Sequence, residues 1–184
     1  MKISPEKFKE KLLAGKHLPS GLVVEGWLSL KNCTSLTHLP SGLVVNGYLD
    51  LEGCTSLTHL PSGLVVKDNL DLANCTSLTH LPSGLVVKGR LDLEGCTSLT
   101  HLPEGLVVED LLNLENCTSL THLPSGLVVK GVIYCDEALI DSIPKEDLPL
   151  YLDFNFKKEI KDYFNKKLRG DNQKILRINN ENLT

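Results

Sequence analysis

One 21-residue phrase is written six times in succession in this chain, and that repetition narrows the fold more than any other property of its 184 residues. From Leu18 the phrase reads LPSGLVVEGWLSLKNCTSLTH. It restarts at Leu39, Leu60, Leu81, Leu102 and Leu123, and the last copy leaves the pattern after Tyr134. Cys33, Cys54, Cys75, Cys96 and Cys117 mark the phase. A fixed period of this length is the signature of a solenoid, in which each copy forms one coil and stacks on its neighbours.

A single coil is unfavourable alone. The first copy offers Leu22, Val24, Leu28, Leu30, Leu36 and Leu39 for burial, worth roughly 1.5–3 kcal/mol each when fully covered. Ordering its backbone costs roughly 1–2 kcal/mol per residue. Only neighbours that share a core and a hydrogen-bond ladder make the coil stable.

Within a copy the period changes along the chain. From Leu22 to Leu30 the even positions are Leu, Val, Gly, Leu and Leu and the odd ones Val, Glu, Trp and Ser, an alternation that predicts an extended strand with one buried face. Gly26 offers a bend that splits it in two. CTSLTHLPSG then returns the chain, with Leu36 and Leu39 inward and Pro-x-Gly as the turn.

LxLxxC followed by SLTHLPSGL resembles the strand and return arm of the leucine-rich repeat superfamily, with Cys where Asn often sits. The LP element is similar to short repeats of bacterial effector proteins, and CTSLT to cysteine-type repeats of bacterial surface proteins. The resemblance covers about residues 18–143 and implies a stacked parallel sheet that binds protein. That superfamily places an apolar residue three before the second leucine, whereas here those positions are Glu25, Asn46, Lys67, Lys88, Glu109 and Lys130. The alternation from Leu22 also suits a flatter β-solenoid with more strand per coil.

Both ends read as caps. Ser4-Pro5-Glu6 is a helix start, with an N-cap residue, Pro in the first turn and an acid near the positive end of the dipole. Phe8, Leu12 and Leu13 form its apolar stripe and Gly15 its stop. Phe156, Ile160, Tyr163, Phe164 and Leu168 recur at helical spacing, predicting a closing helix over 155–169 near Ile140 and Ile143. The polar segment 170–184 reads as frayed. The expected organisation is thus a repeat solenoid, mainly parallel β, with leucine-rich-repeat-like 21-residue coils over 18–143. Helical caps occupy 1–17 and 144–184.

LPSGLVV and CTSLTH are almost invariant between copies, Glu104 replacing Ser once. Differences gather in three columns. The first reads Trp27, Tyr48, Asn69, Arg90, Leu111 and Val132; the second Ser29, Asp50, Asp71, Asp92, Asn113 and Tyr134; the third Lys31, Glu52, Ala73, Glu94, Glu115 and Asp136. Alternation places all three on one face. Thr34, Ser35, Thr37, His38 and Ser41 are expected to be exposed as well yet repeat unchanged, so diversity is not uniform over the surface. Trp27, Tyr48, Asp50, Glu52, Asn69, Asp71, Arg90, Asp92, Glu94, Asn113 and Glu115 are therefore the candidate binding residues. Drift at tolerant strand positions is the competing explanation.

Residues 18–143 carry 5 basic and 14 acidic side chains, net −9, against +3 for residues 1–17 and +2 for 144–184. An acidic strip steers a basic or extended protein segment toward it and disfavours nucleic acid, whose phosphates require a positive surface. A solvated acidic face that only maintains solubility accounts for the charge equally well.

His17, His38, His59, His80, His101 and His122 would line up one per coil, and imidazoles at rung spacing can share Zn2+ or copper; copying of the unit explains the column without metal. The cysteines read as small packing residues, and without CxxC spacing a redox or zinc-finger reading is weak. Some bacterial leucine-rich-repeat effectors carry a ubiquitin-ligase domain with a Cys-x-Asp nucleophile. Cys135-Asp136-Glu137 departs from that order, and Cys135 falls where the repeat places a core leucine. Neither a phosphate-binding glycine loop, a nucleophile elbow nor HExxH occurs. Asn32, Asn74 and Asn116 head N-C-T sequons as by-products of the repeat.

The expectation is a non-catalytic protein-binding module with no cofactor and no assigned metal ligands, of the effector or scaffold kind. A self-assembling structural solenoid is the alternative, with a monomer favoured. No apolar run approaches the ~20 residues of a membrane span, and MKISPEKFKEKLL lacks a signal peptide's apolar segment. Residence in the cytoplasm of the producing cell is expected, with export into a host cell left open.

Overall fold

The computed structural model describes residues 1–151, 154–156, 158 and 160–163. After a short edge strand, β1 (Lys2–Ile3), and a helix, α1 (Pro5–Leu13), each copy contributes two short strands separated by a bend. The first of each pair are β2 (Val23–Val24), β4 (Val44–Val45), β6 (Val65–Val66), β8 (Val86–Val87), β10 (Val107–Val108) and β12 (Val128–Val129). The second are β3 (Leu28–Ser29), β5 (Leu49–Asp50), β7 (Leu70–Asp71), β9 (Leu91–Asp92), β11 (Leu112–Leu114) and β13 (Ile133–Cys135).

Equivalent strands pair in parallel, one coil to the next. They form a seven-stranded sheet in the order β1-β2-β4-β6-β8-β10-β12 and a six-stranded sheet in the order β3-β5-β7-β9-β11-β13. Val23 pairs with Val44 and Leu28 with Leu49, a shift of one whole repeat that continues along the stack. The protein is a parallel β-solenoid of about six coils.

Alternation explains which columns are inside. Val24, Val45, Val66, Val87 and Val108 are fully buried, as are Leu28, Leu49, Leu70, Leu91 and Leu112, while the intervening valines of the first sheet face outward. Leu36 and Leu39 point in from the return arm, and Thr34, Ser35, Thr37, His38 and Ser41 are exposed. The Pro-x-Gly turn forms as read, Gly42 taking φ +64 at the left-handed position.

The strand-end turn carries a finer period than the repeat itself. Its left-handed position is Asn32, Gly53, Asn74, Gly95 and Asn116 in successive coils, with the three asparagines at φ 58, 59 and 61. A Cβ on Gly53 would lie 2.2 Å from Asn32 Oδ1, and one on Gly95 2.6 Å from Asn74 Oδ1. The Asn32 and Asn74 side chains therefore occupy the space that Gly53 and Gly95, one repeat on, leave open. Here the packing unit is a pair of coils.

At the N-terminal end α1 packs against β3, with Phe8 completely buried. Ser4 caps it, its hydroxyl accepting from the Lys7 N–H, and Gly15 follows at φ +65. Leu13 departs from the expected stripe and is 51% exposed. At the other end a short helix, α2 (Glu137–Ser142), buries Leu139 and Ile140. Phe156 does not begin a helix; it bridges Ile133 as an extended residue, and the Ile133 N–H donates to the Asn155 carbonyl at 2.8 Å. Phe156 and Ile160 are buried. Phe164, Leu168 and 170–184, where the rest of the closing helix and the tail were expected, lie outside the described residues. Among the described residues no helix is long and apolar enough to cross a membrane.

Candidate interaction face

The outer face of the six-stranded sheet brings the three variable columns together. Ser29, Asp50, Asp71, Asp92, Asn113 and Tyr134 occupy consecutive rungs in strict register. Their side chains are not free, however. Asp50 Oδ1 accepts the Glu52 N–H at 3.1 Å, Asp71 Oδ1 the Ala73 N–H at 2.9 Å, Asp92 Oδ1 the Glu94 N–H at 3.0 Å and Asn113 Oδ1 the Glu115 N–H at 3.1 Å. Ser29 Oγ makes a longer version of the same contact with the Lys31 N–H, at 3.5 Å. A side-chain oxygen that accepts from the backbone two residues on closes an Asx-type turn. The turn at the strand end thus selects this column for a short acceptor.

Asp50 is the most enclosed of these carboxylates. Asp50 is only 5% exposed, and its second oxygen accepts from Ser29 Oγ at 2.9 Å. Asp71 is half-buried and takes the Tyr48 hydroxyl at 2.9 Å. Burial, followed by the charges of Asp71 and Glu94, raises the Asp92 carboxyl above its ordinary range. Oxygens of Asp50, Glu52 and Asp71 lie within 4.8 Å of one another, yet these carboxylates already receive a hydroxyl, backbone N–H groups and, at Glu52, the Lys31 ammonium.

The first variable column is the more open one. Trp27 is 62% exposed and stacks on Tyr48, ring centroids 5.9 Å apart and planes 17° from parallel. Burial, reinforced by the bond to Asp71, raises the Tyr48 phenol pKa, so it remains a donor. A shallow cleft of about 200 Å³ lies between Trp27 and α1, lined by Pro5, Glu6, Lys9, Leu28 and Ser29. Further along, Asn69 Oδ1 accepts the Arg90 N–H at 2.8 Å, so Asn69 braces the ladder rather than facing out freely. The Arg90 guanidinium is exposed, 3.4 Å from Asp110. Glu94 is exposed and Glu115 half-buried.

The other two sides are more uniform. On the seven-stranded sheet Val65, Val86 and Val128 are 41%, 37% and 45% exposed, beside a charged column in which Lys2 meets Glu25 at 2.6 Å and Glu109 meets both Lys88 and Lys130. Contact with Lys2 lowers the Glu25 pKa, and contact with Lys130 that of Glu109. On the return arm the rings of His59, His80 and His101 stack in parallel.

The cysteines are packing residues with one added role. Cys54, Cys75, Cys96 and Cys117 are buried, and each Sγ–H donates to a leucine carbonyl of the preceding coil at 3.1–3.2 Å. Burial pushes Cys54 up to about 11 and Cys75, Cys117 and Cys135 up to about 12. Cys135 pairs with Leu114 and is buried as a core residue.

No protein-family model matches the chain, and no significant match occurs among curated proteins or solved structures.

Proposed function

We propose that the protein is a non-catalytic binding module, similar in use to leucine-rich repeats, whose six-stranded sheet presents its outer face to a basic, extended segment of a partner protein. The observation that carries this reading is Trp27: a large aromatic residue, 62% exposed and stacked on Tyr48 at the end of an acidic ladder. Aromatic residues and Arg dominate interface energies, which makes Trp27, Tyr48 and Arg90 the anchors. A rigid stack loses little conformational entropy on binding. The field of Asp50, Asp71, Asp92, Glu94 and Glu115 supplies orientation and on-rate more than affinity.

Binding to an array of extended Lys/Arg-rich peptides, alongside acidic and neutral ones, tests the proposal. Trp27→Ala should weaken capture about tenfold or more, and rising salt should weaken it too. The charge test is the triple change of Asp50, Asp71 and Asp92 to Asn, which keeps the turn acceptor as Asn113 does. Basic peptides that bind no better than acidic ones, or capture indifferent to both variants, would reject the reading.

Self-association is a second reading, favoured by the exposed valines of the other sheet. Its signature is a sedimentation coefficient that rises with concentration and stops rising when Val65 and Val86 become Thr; an unchanging monomer rejects it.

A further inference from the structure

The histidine column gains a property from its surroundings that copying alone does not supply. His59, His80 and His101 are exposed and held by parallel backbone bridges, with ring centroids 6.2 and 6.3 Å apart and planes within 6° and 3°. Each Nδ1 lies 2.9–3.0 Å from the hydroxyl of the preceding residue, Thr58, Thr79 or Thr100. Thr79 Oγ1 donates its proton to the Thr58 carbonyl at 3.2 Å, and Thr100 Oγ1 to the Thr79 carbonyl at 3.4 Å. A hydroxyl has one proton. When that proton lies toward the carbonyl, the oxygen accepts from Nδ1–H, and the tautomer so favoured leaves the lone pair of His80 and His101 on Nε2.

We propose that this line of Nε2 atoms binds a divalent transition-metal ion between neighbouring imidazoles, water completing the shell. A second bond from the far ring nitrogen is what orients and activates histidine ligands in general. Two imidazole nitrogens on one tetrahedral zinc stand about 3.4 Å apart. With ring centroids 6.2 Å apart and planes nearly parallel, both imidazoles must tilt so that their Nε2 lone pairs converge and each nitrogen moves toward the ion by roughly 1.4 Å, a movement open to exposed side chains. Imidazole donors select Zn2+, Ni2+ or Cu2+ over Ca2+ and Mg2+, which prefer oxygen. The carboxylates of Asp50, Glu52 and Asp71 supply oxygen donors only, and from the six-stranded sheet rather than the return arm.

Titration of the untagged full chain with Zn2+ and Ni2+ by calorimetry, with Ca2+ as the hard-ion control, tests the site. Wild type should bind about one or two transition ions per chain at micromolar concentration. The triple His59→Ala, His80→Ala, His101→Ala variant should lose at least about tenfold in affinity. Thr79→Val with Thr100→Val keeps every imidazole but removes the hydroxyls, and should weaken binding by about tenfold. Thermal melting of each variant checks that the solenoid is intact. No binding by wild type, or binding that survives the histidine changes, overturns the proposal. So does loss on changing Asp50 and Asp71 to Asn, which assigns the ion to the carboxylates. Equal affinity in the threonine variant also overturns it, by showing capture by exposed histidines without a built site.

Discussion

Asp71 shows how much a single side chain contributes in a ladder. Its two oxygens serve the Ala73 N–H and the Tyr48 hydroxyl. Asp71→Ala leaves both without their partner, a loss of about 1–3 kcal/mol. Asp71→Asn retains an acceptor for the turn and a donor toward Tyr48, and should stay within about 0.5 kcal/mol of wild type in urea melts. A large loss in the Asn variant would mean that charge, not the turn, is what the position requires. This role was partly legible in the sequence. Ser, Asp and Asn share a short side-chain oxygen, but beside Trp27 and Arg90 they look like functional diversity, because the N–H two residues on is invisible until the strand end is located. The thiols make a second prediction. Burial raises their folded values from 9.0 to about 11 or 12, so above pH 9 the unfolded chain sheds protons that the native state retains. Stability then falls as pH rises, by about 1.4 kcal/mol per unit for each such thiol, until the folded values are passed. Urea midpoints from about pH 8 to about pH 10.5 should show this decline, and Cys75→Ala should make it shallower. At neutral pH a thiol reagent should label half-buried Cys33 first.

Between elements, the turn alternation couples residues one repeat apart. Gly53→Ala places a Cβ on Asn32 Oδ1 and also forces Ala to φ +71, a cost of about 1–3 kcal/mol for the backbone alone. Asn32→Gly removes the obstacle but leaves the φ cost, so the double variant should be less destabilised than the sum of the singles, by about 0.5–3 kcal/mol. Additive energies in a double-mutant cycle would show that the two coils do not interlock there. Strands, inward columns, Pro-x-Gly turns and the Ser4 cap follow from local pattern and were readable in advance. The alternation of Asn and Gly is printed in the sequence too, but its meaning depends on which face of the turn meets the next coil. Phe156 departs from the helical spacing because it bridges the strand edge at Ile133, whereas residues 158 and 160–163, within the same predicted helix, are helical.

For the whole molecule, the interlock sets which lengths of chain stack well. Removing residues 39–80, two coils, joins His38 to Leu81 and leaves Asn32 against Gly95; removing residues 39–59, one coil, sets Asn32 against Asn74. The shorter deletion should therefore melt at the lower temperature, although it retains more core. If stability simply tracks the number of coils, as expected for repeats that contact only their neighbours, the one-coil deletion will be the more stable of the two.

The thiols of Cys54, Cys75, Cys96 and Cys117 each lean on a carbonyl belonging to the coil before. The arrangement gives the core an arrow. During synthesis from the N-terminus, a newly emerging Cys finds its acceptor already laid down, and that donor never waits in a closing interior for residues not yet made.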